Sequence, residues 1–66
     1  MAEPDPDARL SKLVHDLRSP LMVAEGFAQL LARDEGKLTA EQRAEFAARI
    51  EAAAADMRAL LDAVRD

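Results

Sequence analysis

Residues Leu10 to Arg33 read LSKLVHDLRSPLMVAEGFAQLLAR, and the spacing of their apolar members decides the fold. Leu10, Val14, Leu17, Leu21, Ala24, Ala28 and Leu31 follow one another at alternating steps of four and three, which lines one face of a helix. Leu13, Phe27 and Leu30 widen that stripe, as expected of a helix buried in a bundle. Pro20 falls inside the pattern. A proline within a helix removes one backbone bond and clashes with the preceding turn, at a cost of about 3 kcal/mol. Because the periodicity passes through Pro20 in phase, the pattern predicts a single kinked helix over about residues 8–33.

On the C-terminal side, Asp34-Glu35-Gly36-Lys37-Leu38 has turn composition, with Gly36 suited to a left-handed stop. Thr39 and, three residues on, Gln42 have the spacing of a capping box. A second helix is expected over about residues 40–65. Its seam is Phe46, Ile50, Ala53, Met57, Leu60 and Val64, widened by Ala47, Ala54 and Leu61. At 1.5 Å per residue each helix is roughly 40 Å long. On the N-terminal side, residues 1–7 (MAEPDPD) are acidic and carry two prolines, and are expected to form a flexible leader. Asp5 would cap a helix that has Pro6 in its first position, or Asp7 would cap it slightly later.

Two matched helices joined by a short turn give an all-α antiparallel hairpin. A 66-residue chain with two phenylalanines, fifteen alanines and no cysteine buries too little to fold securely alone. Association is the physical remedy, so the hairpin is expected to homodimerise into a four-helix bundle. A net charge of −4, with no basic patch and no tryptophan or tyrosine, weighs against nucleic acid as a partner. No apolar run approaches the roughly 20 residues of a membrane span and no signal-peptide pattern opens the chain. The expectation is a cytoplasmic protein without membrane insertion.

The chemistry concentrates at His15-Asp16-Leu17-Arg18-Ser19-Pro20-Leu21. His15 is the one histidine of the chain, and it projects about 150° away from the first seam, with Ser19, Met22 and Gly26 near the same outward face. An exposed histidine alone is most simply a surface residue. Beside an acid, a hydroxyl and a costly mid-helix proline, it reads instead as a phosphate-accepting site. Neutral imidazole is a good nucleophile near physiological pH. Attack through one ring nitrogen leaves a proton on the other, which Asp16 can orient or accept. Arg18 is placed to contact phosphate oxygens, and Ser19 to hold a water for the reverse hydrolysis. Taken singly, the simpler readings are a solvated surface acid for Asp16, an arginine that only solvates an exposed helix face for Arg18, and a mid-helix serine bonded back to its own helix for Ser19. One histidine without cysteine builds no usual zinc site, a single helix offers no serine-hydrolase geometry, and Gly26 and Gly36 are too far apart for a phosphate loop.

These seven residues resemble the H-box of bacterial sensor histidine kinases, whose pattern is His, acid, Leu or Ile, Arg or Lys, Thr, Ser or Asn, Pro, Leu. Gly26-Phe27-Ala28-Gln29-Leu30-Leu31 is similar to the Gly-aromatic-Ala-Glu-Leu-Leu stretch that often follows it, and Met57 to Asp62 looks like that family's partner helix. The likeness covers roughly Arg9 to Arg65. It implies a dimerisation and histidine-phosphotransfer domain with His15 as phosphoacceptor, Asp16 assisting autophosphorylation, and Pro20 as the point where the upper helix bends. Ser19 stands where threonine or asparagine often supports phosphatase activity.

The same resemblance implies a homodimer, a response-regulator receiver domain that takes the phosphoryl group, and an ATP-binding kinase domain acting in cis or trans. The asparagine and glycine-rich boxes of that ATP-binding domain are missing from this sequence. No cofactor is therefore expected on this chain, ATP and Mg being used by the separate domain. The expectation is either an excised piece of a larger kinase or a stand-alone phosphotransfer protein. The alternative is a dimeric docking module that binds a regulator or a kinase without phosphotransfer.

Overall fold

In the computed structural model, which describes residues 6–64, two helices and one turn account for the chain. α1 is Pro6–Ala32 and α2 is Ala40–Asp62. Of the stretch expected as a leader, Pro6 and Asp7 are helical, because a proline lacks the amide hydrogen that the first helical position leaves unbonded anyway. The rest of it, with Asp5, lies outside the described residues. α1 runs unbroken through Pro20.

The turn forms from the residues its sequence singles out, and from one more. Gly36 has φ 82°, the left-handed conformation that costs glycine nothing. The Thr39 hydroxyl accepts from the Gln42 amide at 3.0 Å, and the Gln42 side chain accepts from the Thr39 amide at 2.8 Å, so the capping box is complete. Asp34 is the addition. Its Oδ1 accepts from the amides of Lys37 (2.9 Å) and Leu38 (3.0 Å), while Arg43 Nη1 donates to its Oδ2 at 2.7 Å. That side chain is only 8% exposed. At the other end, α2 stops at Asp62, three residues short of the expected 65: the Ala63 amide still donates to Ala59 O, but the Val64 amide turns back to Leu61 O at 3.1 Å. Arg65 and Asp66 lie outside the described residues.

α2 faces its partner with Phe46, Ile50, Ala53, Met57 and Leu60, the seam its sequence gives; Val64, past the helix end, is exposed. Ala53, 4% exposed, is the buried residue of the described chain. α1 requires a correction. Its half-buried apolar row is Leu13, Leu17, Pro20, Ala24, Phe27 and Leu31, again at steps of four and three, while Leu10, Val14, Leu21 and Ala28 are exposed. The seam read from the sequence therefore mixes two adjacent rows. Pro20 is a member of the buried one, so it has a packing role: it lines a recess with Asp16 and, from α2, Asp56, Ala59 and Leu60. Near the turn the rings of Phe27 and Phe46 meet with centroids 5.3 Å apart, tilted by 41°.

The second row of α1 has a counterpart on α2. At about 100° per residue, Leu10, Val14, Leu21 and Ala28 stand some 80° round from the buried row, and Ala47, Ala54 and Leu61 stand a similar angle round from theirs. In an antiparallel pair both rotations lead to the same side of the hairpin. Leu10 is 59% exposed, Leu21 46% and Leu61 49%. The hairpin thus carries a continuous uncovered apolar side.

Candidate functional site

His15 sits in the middle of α1, exposed, on the side turned away from α2. It lines a shallow groove with Leu10, Ser11, Val14 and Arg18. Ser19 and Gly26 are exposed on the same outward side, as is Met22. The expected placement of the imidazole, available to another molecule, is what the structure has. Arg18, one turn on, shares its groove. The hydroxyl of Ser19 makes no hydrogen bond to any described residue, so it is not tied back to its own helix.

Asp16 is oriented otherwise than its place beside His15 suggests. Consecutive residues on a helix point about 100° apart, and this carboxylate turns toward the flank that meets α2. There it lines one recess with Arg9, Lys12, Leu13, Ala63 and Val64, and a second with Pro20, Asp56, Ala59 and Leu60. Its Oδ2 accepts from Lys12 Nζ at 2.9 Å, with the lysine side chain 77% exposed and the aspartate 30%. This is an i,i+4 pair in the weaker order, lysine before acid, and such a surface pair contributes at most about 0.5 kcal/mol. It is readily opened.

Pro20 acts on the same turn from the other direction. Having no amide hydrogen, it gives the carbonyl of Asp16 no helix bond from four residues on. The turn between Asp16 and Pro20 is therefore held by one bond fewer than its neighbours.

A nucleophilic imidazole in the open, a guanidinium in the same groove, and a carboxylate and an ammonium within one turn suit acceptance of an anionic group by transfer. Among the described residues no three His, Cys, Asp or Glu side chains stand together as a metal site. The His Kinase A (phospho-acceptor) domain family matches residues 8–66 of the 66. The chain belongs to that family. No curated protein and no solved structure matches it closely enough to be named beside it.

As a phospho-acceptor domain of the histidine-kinase kind, it belongs to two-component signal transduction, with a phosphoacceptor and dimerisation role. Its all-α hairpin is the unit that the family pairs into a dimeric four-helix bundle. No helix among the described residues is long and apolar enough to cross a membrane.

Two residues with structural partners, one beside His15 and one at the turn, were not singled out from sequence. Lys12 carried a signal, the i,i+4 spacing of a lysine and an acid on one helix face. Asp34, at the far end of the hairpin, carried the Asp-before-turn pattern whose side chain bonds amides three and four residues on.

Proposed function

We propose that His15 is the phosphorylated residue of this phospho-acceptor domain and that its phosphoryl group passes on to an aspartate of a response-regulator receiver domain. The observation that carries the reading is that the one histidine of a chain in a phospho-acceptor family is exposed, mid-helix, with Arg18 in its groove. One ring nitrogen of neutral His15 attacks the terminal phosphorus of ATP held by a separate kinase domain in cis or trans. The N–P bond forms, the bridging P–O bond breaks, and ADP leaves with the electron pair. The proton on the far ring nitrogen goes to Asp16, directly or through one water. Transfer onward forms an acyl phosphate on the receiver and returns the imidazole. Arg18 offsets the charge of the phosphoryl group, and Ser19, with its hydroxyl unengaged, is the group available to position water for hydrolysis.

The domain works as a homodimer. Leu10, Val14, Leu21 and Leu61 on one uncovered side are the apolar surface that a second copy would bury, and 66 residues have few other ways to gain a sufficient core. No cofactor resides on this chain in this reading; nucleotide and Mg belong to the kinase domain, and both partners meet it in the cytoplasm.

The test is incubation of the dimeric protein with its cognate ATP-binding domain and ATP labelled in the terminal phosphate. The expected product carries acid-labile, base-stable label that chases onto the receiver, and His15→Ala takes up none while keeping its helix content. Label that persists in His15→Ala, or none in a dimeric preparation, overturns the reading. His15→Ala also separates it from a docking module without phosphotransfer, whose cellular effect the substitution would leave intact.

A further inference from the structure

We propose that Lys12 is a phosphate-contacting residue of this site: it holds Asp16 while His15 is free and exchanges that carboxylate for the phosphoryl group once His15 carries one. The inference rests on His15 being the phosphorylated residue. Lys12 stands three residues before His15 and four before Asp16, and both intervals place side chains in contact reach on a helix surface. On the helix circumference it lies between the two, about 60° from His15 and about 40° from Asp16. In the unphosphorylated chain its ammonium is committed to Asp16, Nζ to Oδ2 2.9 Å.

That pair is mostly solvent-exposed on the lysine side, so it is weak and quickly remade. A phosphoryl group on His15 adds close to two negative charges and three strong acceptor oxygens one turn away. An ammonium with two anions in reach goes to the one with the larger charge. The exchange would leave the phosphoryl group between cations at i−3 and i+3, Lys12 and Arg18. It would also release Asp16, whose carbonyl already lacks a bond because of Pro20. The charged and polar groups around the phosphoryl position are then Lys12, Arg18, Ser11, Ser19 and Asp16 from α1. α2 packs on the opposite side, where its Asp56 shares a recess with Asp16 and not with His15.

The experiment phosphorylates His15 chemically with phosphoramidate, which delivers its phosphoryl group to the imidazole and releases ammonia, so no kinase recognition is needed. A ³¹P titration then gives the second ionisation of the phosphoryl group. An adjacent ammonium favours the dianion, so the apparent pKa is expected roughly half a unit lower in the parent protein than in Lys12→Met, with Lys12→Arg restoring the parent value. Asp16→Asn, which leaves the ammonium no competitor, is expected to lower it further. Titrations of the parent protein and Lys12→Met that superpose overturn the proposal, as does a Lys12→Arg protein that behaves like Lys12→Met. If the shift is found but no kinase domain labels His15, the inference stands and the proposed function falls. If His15 is labelled and the titrations superpose, the inference alone falls.

Discussion

Arg43 Nη1 lies 2.7 Å from Asp34 Oδ2, so the fourth residue of α2 is tied across the loop to a residue two positions past the end of α1. Asp34 also accepts the amides of Lys37 and Leu38, and these three donors close the hairpin at the end remote from His15. The bonds hold the Asp34 carboxyl below the usual aspartate range, the amide of Leu38 contributing most and the Arg43 side chain next.

A pH dependence follows, with its sign. A carboxyl whose folded pKa is depressed stabilises the fold fully above the ordinary aspartate value near 4, and the contribution disappears as pH falls through the lower folded value. The parent protein is therefore expected to lose Tm more steeply below about pH 4 than Asp34→Asn does, while above pH 5 Asp34→Asn is the less stable of the two. Parallel Tm profiles for the two proteins would show that the carboxylate is not what closes the turn.

The two flanks of α1 should respond oppositely to charge. Leu21 belongs to the apolar row continuous with Ala54 and Leu61, whereas Met22, the next residue, is on the outward side near His15. Leu21→Glu places a charge in the surface a second copy would bury, and is expected to weaken dimerisation at least tenfold, a cost of about 1.4 kcal/mol or more, with loss of helix at low concentration. Met22→Glu should leave sedimentation equilibrium unchanged. Equal effects from the two would mean that the pairing side is not the one assigned.

Much of this hairpin is legible in its sequence, and the exceptions have physical causes. Thr39, Gln42 and Gly36 act locally, so a spacing and a residue type suffice to place them. The α2 seam is equally plain because its other faces carry charges and alanines. In α1 two apolar rows lie side by side, one for α2 and one for another surface, and periodicity alone merges them. Pro20 is read as an interruption since proline is not counted as apolar, yet it occupies a half-buried position at the heptad interval from Leu13 and Phe27. The outward placement of His15 needs only the helix period. The attachment of Asp16 to Lys12 depends on which neighbour a carboxylate meets on the folded helix, and residue order alone does not decide that.

Pro20→Ala restores an amide donor to the Asp16 carbonyl and removes the clash of the ring with the preceding turn, while trimming a half-buried ring that lines a recess with Ala59 and Leu60. The first effect is worth about 3 kcal/mol in a helix interior, and the truncation of a half-buried ring offsets part of it. The variant is expected to be more stable by about 1 kcal/mol in urea denaturation, with altered phosphotransfer, because the turn holding Asp16 becomes stiffer. A destabilised variant would show that the seam contacts of Pro20 outweigh the lost bond.

Phe27 and Phe46, the two aromatic residues of the chain, bring their rings together across the helix pair. Their centroid separation of 5.3 Å and tilt of 41° fall in the range where ring quadrupoles attract. Phe27→Leu, Phe46→Leu and the double variant form a cycle that isolates the ring–ring part from simple loss of apolar area. The expected coupling is about 1 kcal/mol, so that the double variant loses less stability than the sum of the singles. Additive losses, measured by urea denaturation at one protein concentration to hold dimerisation constant, would reduce the pair to two independent apolar side chains.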